Sequence, residues 1–264
     1  MSLKSNPLIL AAACAMTVAQ ARADHLSNGV FATEAEIVIL GEVHDNPDAH
    51  KEQANAIAAL RPTAVVFEML TPEEGMKASQ DPDTIAGIWA KSDWPDFALY
   101  APIFAALDSA KIIGAAAPRE SIRSVYTDGS AALFGQEAEQ YGLTEPLDPM
   151  QQAARETMQF EAHCKAMPLE MMAGMVDIQR YRDALFARAA VDALNRFGPP
   201  IAVVAGNGHA RTDWGIPAVL ARAAPDVAVK SIGFVEVDGD MPFDHTHIVP
   251  PANRSDPCDT FKSD

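Results

Sequence analysis

Four side chains in this sequence combine reactive chemistry with a telling placement: Glu42, His44, Glu68 and His209. Glu42 and His44 follow Gly41, and His209 follows Gly206 at the same Gly-x-x-His spacing. Glu68 comes directly after Ala64-Val65-Val66-Phe67. Two imidazoles with two carboxylates suit zinc, manganese or iron. Without a metal, the same set can do general acid–base work. Each residue also has an ordinary explanation, as a buried histidine satisfied by loop amides or a carboxylate at a helix start. Buried carboxylates at strand ends are costly without a purpose, so the four are read as one shared site.

The elements before these residues decide whether they can meet. Ile37-Val38-Ile39-Leu40 and Ile201-Ala202-Val203-Val204-Ala205 are short apolar runs rich in β-branched residues. That composition marks strands buried on both faces of a parallel sheet. Ala64 to Met69 and Lys111 to Ala117 read in the same way. Parallel strands joined by helical crossovers point one way, so their C-terminal ends share an edge, where open α/β sheets bind ligands. Asn46-Pro47 reads as the N-cap and first position of a helix reaching about Leu60. Thr71-Pro72 opens another, Asp81 to Lys91 a short one, and a further helix spans Asp96 to Ala110. From about 143 to 198 no strand candidate occurs. Asp148-Pro149 opens a helical stretch there, broken near Pro168, which reads as a helical insertion. Trp214 to Ala224 is a helix, Val227 to Val237 is a last strand or strand pair, and residues 238–264 form a Pro/Asp-rich peripheral tail. The expected architecture is α/β: a mostly parallel central sheet flanked by helices, as a single domain over 24–264.

The first 23 residues stand apart. Lys4, the apolar run Leu8 to Ala19 and Ala21-Arg22-Ala23 form the three regions of a secretory signal peptide, with cleavage expected before Asp24. Export to the periplasm or outside follows. Cys14 lies mid-run, a poor position for lipid attachment, so membrane association is expected only if the chain is lipidated. The formal charge is −16, and −18 once Lys4 and Arg22 are removed. So acidic a chain argues against nucleic acid and anionic membrane surfaces. Cys164 and Cys258 remain after cleavage, and in an oxidising compartment they are a disulfide candidate. No P-loop, dinucleotide fingerprint, Gly-x-Ser-x-Gly elbow or His-Glu-x-x-His appears.

The residues also carry a resemblance. Gly41-Glu42-Val43-His44-Asp45-Asn46-Pro47 with His50 and Gln53 is similar to the opening motif of the ChaN family of haem-binding uptake proteins. Tyr100-Ala101-Pro102-Ile103-Phe104, Ala162-His163-Cys164, Gln179-Arg180-Tyr181-Arg182-Asp183-Ala184 and Gly206-Asn207-Gly208-His209-Ala210-Arg211 continue it in family order, over about Ile37 to Val237. The family resembles a wider group, with Tiki, TraB and erythromycin-esterase proteins, built on paired strand-end histidines and glutamates. The resemblance implies an α/β sandwich and leaves the activity split. ChaN proteins are linked to haem and iron uptake, whereas Tiki proteins are metal-dependent proteases. On the haem reading it implies a tyrosinate axial ligand, with haem held at a homodimer interface. His44, Tyr100, His163, Tyr181, Asn207 and His209 lie in the matched motifs.

Haem also needs cations for its two propionates. Arg119, Arg180, Arg182 and Arg211 are available for that, although Arg180 has a local partner in Asp183, three residues on. Only Tyr100, Tyr126, Tyr141 and Tyr181 exist as tyrosine ligands, and no motif chooses among them. Six of the eleven methionines lie between Met150 and Met175, a soft apolar surface that suits a porphyrin face or ordinary helix packing. On the alternative reading, a metal-dependent hydrolase, Glu42, His44, Glu68 and His209 hold a divalent zinc, manganese or iron and do the catalysis.

Overall fold

The structure, a computed structural model, describes residue 31, residues 33–256, and residues 258 and 259. The expected signal peptide and Cys14 lie outside them. Six strands form one sheet: β1 (Ile37–Glu42), β2 (Ala64–Phe67), β3 (Lys111–Gly114), β4 (Ile201–Gly206), β5 (Val229–Val235) and β6 (His245–Ile248). Their spatial order is β3-β2-β4-β1-β5-β6, and every pairing is parallel. β1, β2 and β4 are buried at every position, as a sheet covered on both faces requires.

The helices are α1 (Pro47–Leu60), α2 (Pro72–Gln80), α3 (Ile85–Trp89), α4 (Phe97–Ala105), α5 (Arg119–Asp128), α6 (Ser130–Phe134), α7 (Pro149–Ala162), α8 (Met172–Phe197), α9 (Asn207–Ala210) and α10 (Ile216–Ala223). Strand side chains alternate between the faces. Val38, Leu40, Val65, Phe67 and Val204 share a core with α1 to α4. Ile37, Ile39, Val66, Ile201 and Val203 share a second core with α5, α6, α8 and α10. The stretch expected as a helical insertion is part of that layer: Ile178, Tyr181, Ala184 and Ala187 of α8 are core residues, and α7 packs on α8.

Local signals set the element starts. The Asn46 side chain accepts from the Asp48 and Ala49 N–H groups, each at 2.9 Å, and caps α1 as expected. Thr71 and Glu74 form a capping box at α2. The helix expected to reach Ala110 ends at Ala105, and Asp108 follows in the left-handed region at φ 50°. At the end of the chain Val229–Val235 is a single last strand, one of the two readings left open, and one expectation is corrected: the tail expected to be peripheral supplies β6, parallel to β5, with Val249 buried beyond it. His245-Thr246-His247-Ile248 is an edge strand without an apolar run, so its composition gave no strand signal. Cys164 and Cys258 are bridged, with Cα atoms 5.3 Å apart, which ties the tail to the end of α7.

Candidate functional site

The end of β1 places Glu42 on the same face as Val38 and Leu40, towards α1 and α4. His50 of α1 and Tyr100 of α4 meet it there. The Tyr100 hydroxyl donates to Glu42 Oε1 at 2.6 Å and His50 Nε2 lies 3.5 Å from the same oxygen. The His50 and Tyr100 rings lie 4.1 Å apart between centroids, tilted by 35°. One residue past the strand the chain turns, and His44 brings Nδ1 to 2.8 Å from Glu42 Oε1. The His44 side chain is 37% exposed and its ring leans on Trp94.

Glu68 follows β2 and points to the opposite layer. It accepts from the Gly206 N–H at 2.7 Å. His209, in the single turn of α9, sets Nε2 at 3.4 Å from Glu68 Oε1 and Nδ1 at 2.6 Å from Asp183 Oδ1. Gln179 and Phe186 of α8 also touch its ring. Gly206 is needed for space and not for an unusual turn, since its φ is −60°. A Cβ there would come within 2.8 Å of His44 Nε2. Gly41 has the same role, since its Cβ would meet Asn207 Oδ1 at 2.4 Å. The outcome is one row of histidines and carboxylates, from His50 and Glu42 through the part-exposed His44 to Glu68, His209 and Asp183.

Its electrostatics are strongly displaced. Burial opposes ionisation of Glu42, but the hydrogen bond from His44 and the close approach of the His50 and His44 imidazoles outweigh it and pull the carboxyl down to about 2. Glu68 also goes to about 2, where burial is outweighed by the charge and hydrogen bond of His209. Burial would lower His209, yet Glu68 and Asp183 push it up to about 10. His44 is raised as well: burial is outweighed by the Glu42 hydrogen bond and the Glu68 charge. Asp183 is raised, chiefly by burial. Burial and the neighbouring Glu42 carboxylate hold the Tyr100 phenol far above its usual range. Beside this chain a cavity of about 530 Å³ opens at the sheet edge, walled by Glu68, Trp94, Phe186 and Arg182. A half-exposed imidazole oriented by a carboxylate, next to a buried imidazolium, is an arrangement that can take up and deliver protons.

The four strand-end residues therefore converge at one edge of the sheet. The ring nitrogens nearest the carboxylates are engaged: His44 Nδ1 by Glu42 and His209 Nδ1 by Asp183. Among the described residues no group of three or more His, Cys, Asp or Glu is arranged to hold an ion. The expected zinc, manganese or iron site finds no support among the described residues.

The other expected residues lie elsewhere. Arg119 pairs with Asp93, both exposed. His163 ends α7, its ring Nδ1 2.7 Å from the Gln159 carbonyl oxygen. Arg180 donates to the Gly142 and Glu145 carbonyls and lies 3.9 Å from Asp177; the pairing expected with Asp183 is not made, because Asp183 turns to His209. Tyr181 is a core residue against Phe134 and lines an apolar cavity of about 480 Å³. Asn207 donates to the Phe234 carbonyl and fastens α9 to β5. Arg211 forks onto Asp213 and stacks on Trp214. Sequence reasoning missed Asp183 as the partner of His209. The available signal was spacing: Gln179, Asp183 and Phe186 stand at i, i+4 and i+7, one face of a helix, and all three touch His209.

Fold and site together define a parallel α/β protein whose sheet edge carries a buried histidine–carboxylate chain. A family model described as haem-binding uptake, Tiki superfamily, ChaN matches residues 31–220, and the chain belongs to that family. A solved structure described as cofacial haem binding to ChaN of Campylobacter jejuni is 19% identical, with 83% of this chain and 88% of that one covered and a TM-score of 0.60, which is a likeness of fold. The type III effector HopBA1 is similar at 13% identity over 76% of this chain and 77% of its own, with a TM-score of 0.41. A succinoglycan biosynthesis protein is similar at 14% identity over 75% and 65%, with a TM-score of 0.37. A comparison with curated proteins returned no match.

Proposed function

We propose that this protein binds haem and serves in haem and iron uptake, with Tyr126 as the phenolate donor to iron. The observation that carries the assignment is accessibility. The chain has four tyrosines. Tyr100, Tyr141 and Tyr181 are buried, and Tyr100 is committed to Glu42, whereas Tyr126 is 43% exposed. Its ring lies over Gly174, where a Cβ would come within 2.1 Å, and its hydroxyl is 3.4 Å from the Met171 carbonyl. Leu169 and Met171 are exposed nearby, a soft apolar surface suited to a porphyrin. Arg119, Arg123 and Tyr126 stand at i, i+4 and i+7 on α5, so a cation for a propionate, Arg123, shares a face with the phenol, and Arg119 on the same face is held by Asp93. These residues fit haem. Bound haem supplies the iron and a flat apolar macrocycle, while the chain supplies oxygen, cations and apolar contact.

An iron ligand on an exposed apolar face leaves the far side of the haem uncovered, which supports closure by a second copy of this chain. The leader-like pattern in residues 1–23 and the Cys164–Cys258 bridge support an oxidising, periplasmic or extracellular setting. Haem titration followed by visible absorption tests the ligand. The wild type should give a saturable phenolate-type spectrum that Tyr126→Phe loses and Tyr181→Phe keeps. An unchanged spectrum in Tyr126→Phe sinks the assignment.

A further inference from the structure

Behind His209 a separate cavity of about 280 Å³ lies between α7, α8 and α10. Its charged lining is unequally satisfied. Arg222 forks onto Glu145 at 2.7 and 2.9 Å. Asp213 takes the Arg211 fork, Asp148 caps α7, and Arg180 donates to two carbonyls. Arg155 is different. It is 7% exposed, its Nε is buried without a partner, and it makes no hydrogen bond to any described residue. The Trp214 ring lies 5.1 Å away, and the Asp183 and Asp213 carboxylates act on the guanidinium only through space. Asp183 is the complement. Its Oδ1 holds His209, while Oδ2 is buried without a donor. Both residues line this cavity.

A buried guanidinium nitrogen without an acceptor and a buried carboxylate oxygen without a donor are each costly, and the two residues that carry them, of opposite charge, line one small space. We propose that the cavity binds a small zwitterionic α-amino acid, its carboxylate on Arg155, its ammonium on Asp183 Oδ2 and its side chain against Trp214. Charge complementarity supports a zwitterion over a simple anion, because the lining holds four acids, Glu145, Asp148, Asp183 and Asp213, against the three arginines 155, 180 and 222. The volume limits the side chain to a small one. Arginine matches a carboxylate in two-pronged geometry. Because Asp183 also orients His209, occupancy of this cavity reaches the sheet-edge chain through a single side chain.

Titration calorimetry on the purified chain tests this, with L-alanine, acetate and ethylamine as probes. L-Alanine should bind saturably, and acetate and ethylamine, each lacking one pole, at least tenfold more weakly. Arg155→Lys, which keeps charge but loses the fork, should weaken L-alanine at least tenfold. Ala218→Leu fills the cavity without touching either pole and should abolish binding even if the arginine variant folds poorly. In wild type, L-alanine should also move the His209 ring signals in NMR. No saturable binding of L-alanine, acetate binding as well as L-alanine, or wild-type affinity in either variant overturns the proposal.

Discussion

Glu42 concentrates its interactions on one oxygen. Oε1 faces His44, Tyr100 and His50, while Oε2 is buried without a partner. Its folded pKa of about 2 lies below the ordinary 4.5. A depressed carboxylate contributes stability that is present above the unfolded value and lost as pH falls through the folded one. The window for Glu42 is therefore about 4.5 down to about 2, and a shift of this size corresponds to roughly 3 kcal/mol. His209 has the opposite sign. Raised from 6.5 to about 10, it contributes stability that is complete below 6.5 and lost as pH rises through about 10. Glu42→Gln keeps an acceptor for Tyr100 but cannot titrate. It should lower stability at pH 6 by about 3 kcal/mol and shrink the acid-side loss, leaving the share that belongs to Glu68. Urea unfolding across pH 2.5 to 6 measures this. Parallel pH profiles for wild type and variant would rule it out.

Among the elements, α2 and β3 show how a local preference loses to packing. Gly75 sits inside α2, where alanine would ordinarily favour the helix by about 1 kcal/mol. Here a Cβ would come within 2.1 Å of the Gly114 backbone nitrogen on β3. Gly114 in turn lies so close to Thr71 that its own added Cβ would overlap the Thr71 carbonyl. Backbone cannot step aside as a flexible side chain can, and overpacking costs about 1–3 kcal/mol or more. Gly75→Ala should therefore destabilise the protein by about 1–2 kcal/mol net despite the better helix former. Chemical denaturation decides it, and a variant more stable than wild type would mean that α2 can move off β3 freely. The helix and strand themselves were legible, from Thr71-Pro72 and the Lys111 run. Their contact was not, because glycine leaves no mark of what approaches it.

For the whole molecule, net charge and the exposed surface of Tyr126, Leu169 and Met171 pull against each other. The sequence carries a formal −16, so two copies repel at long range, and salt screens that repulsion. A haem-bridged dimer should therefore form more completely at physiological than at low ionic strength. Sedimentation velocity should show the chain moving towards a dimer on addition of one haem per chain. Leu169→Glu, a charge on the exposed surface next to Met171, should hold it as a monomer. Sedimentation that does not respond to haem at either salt concentration would count against the second copy, while leaving the Tyr126 spectrum as a separate test of the ligand.

What the sequence determined by itself was local or followed from topology. Buried-strand composition marked β1, β2, β3 and β4, Asn46-Pro47 marked the start of α1, and the cysteine pair was read correctly as a bridge. Parallel strand direction was enough to bring Glu42, His44, Glu68 and His209 to one edge, since every strand ends there. Tertiary structure alone decided what those residues do to one another. Tyr100 reaches Glu42 across 58 positions, and Asp183 reaches His209 across 26. Neither choice leaves a trace in local propensity, so Asp183 was read only as a partner for the neighbouring Arg180. The same holds for the tyrosines. Composition counts four equal phenols, and only the packing of α5 and α8 leaves Tyr126 outside while three are enclosed. Burial is set by residues distant in the chain, and it is burial that separates a structural phenol from an available ligand.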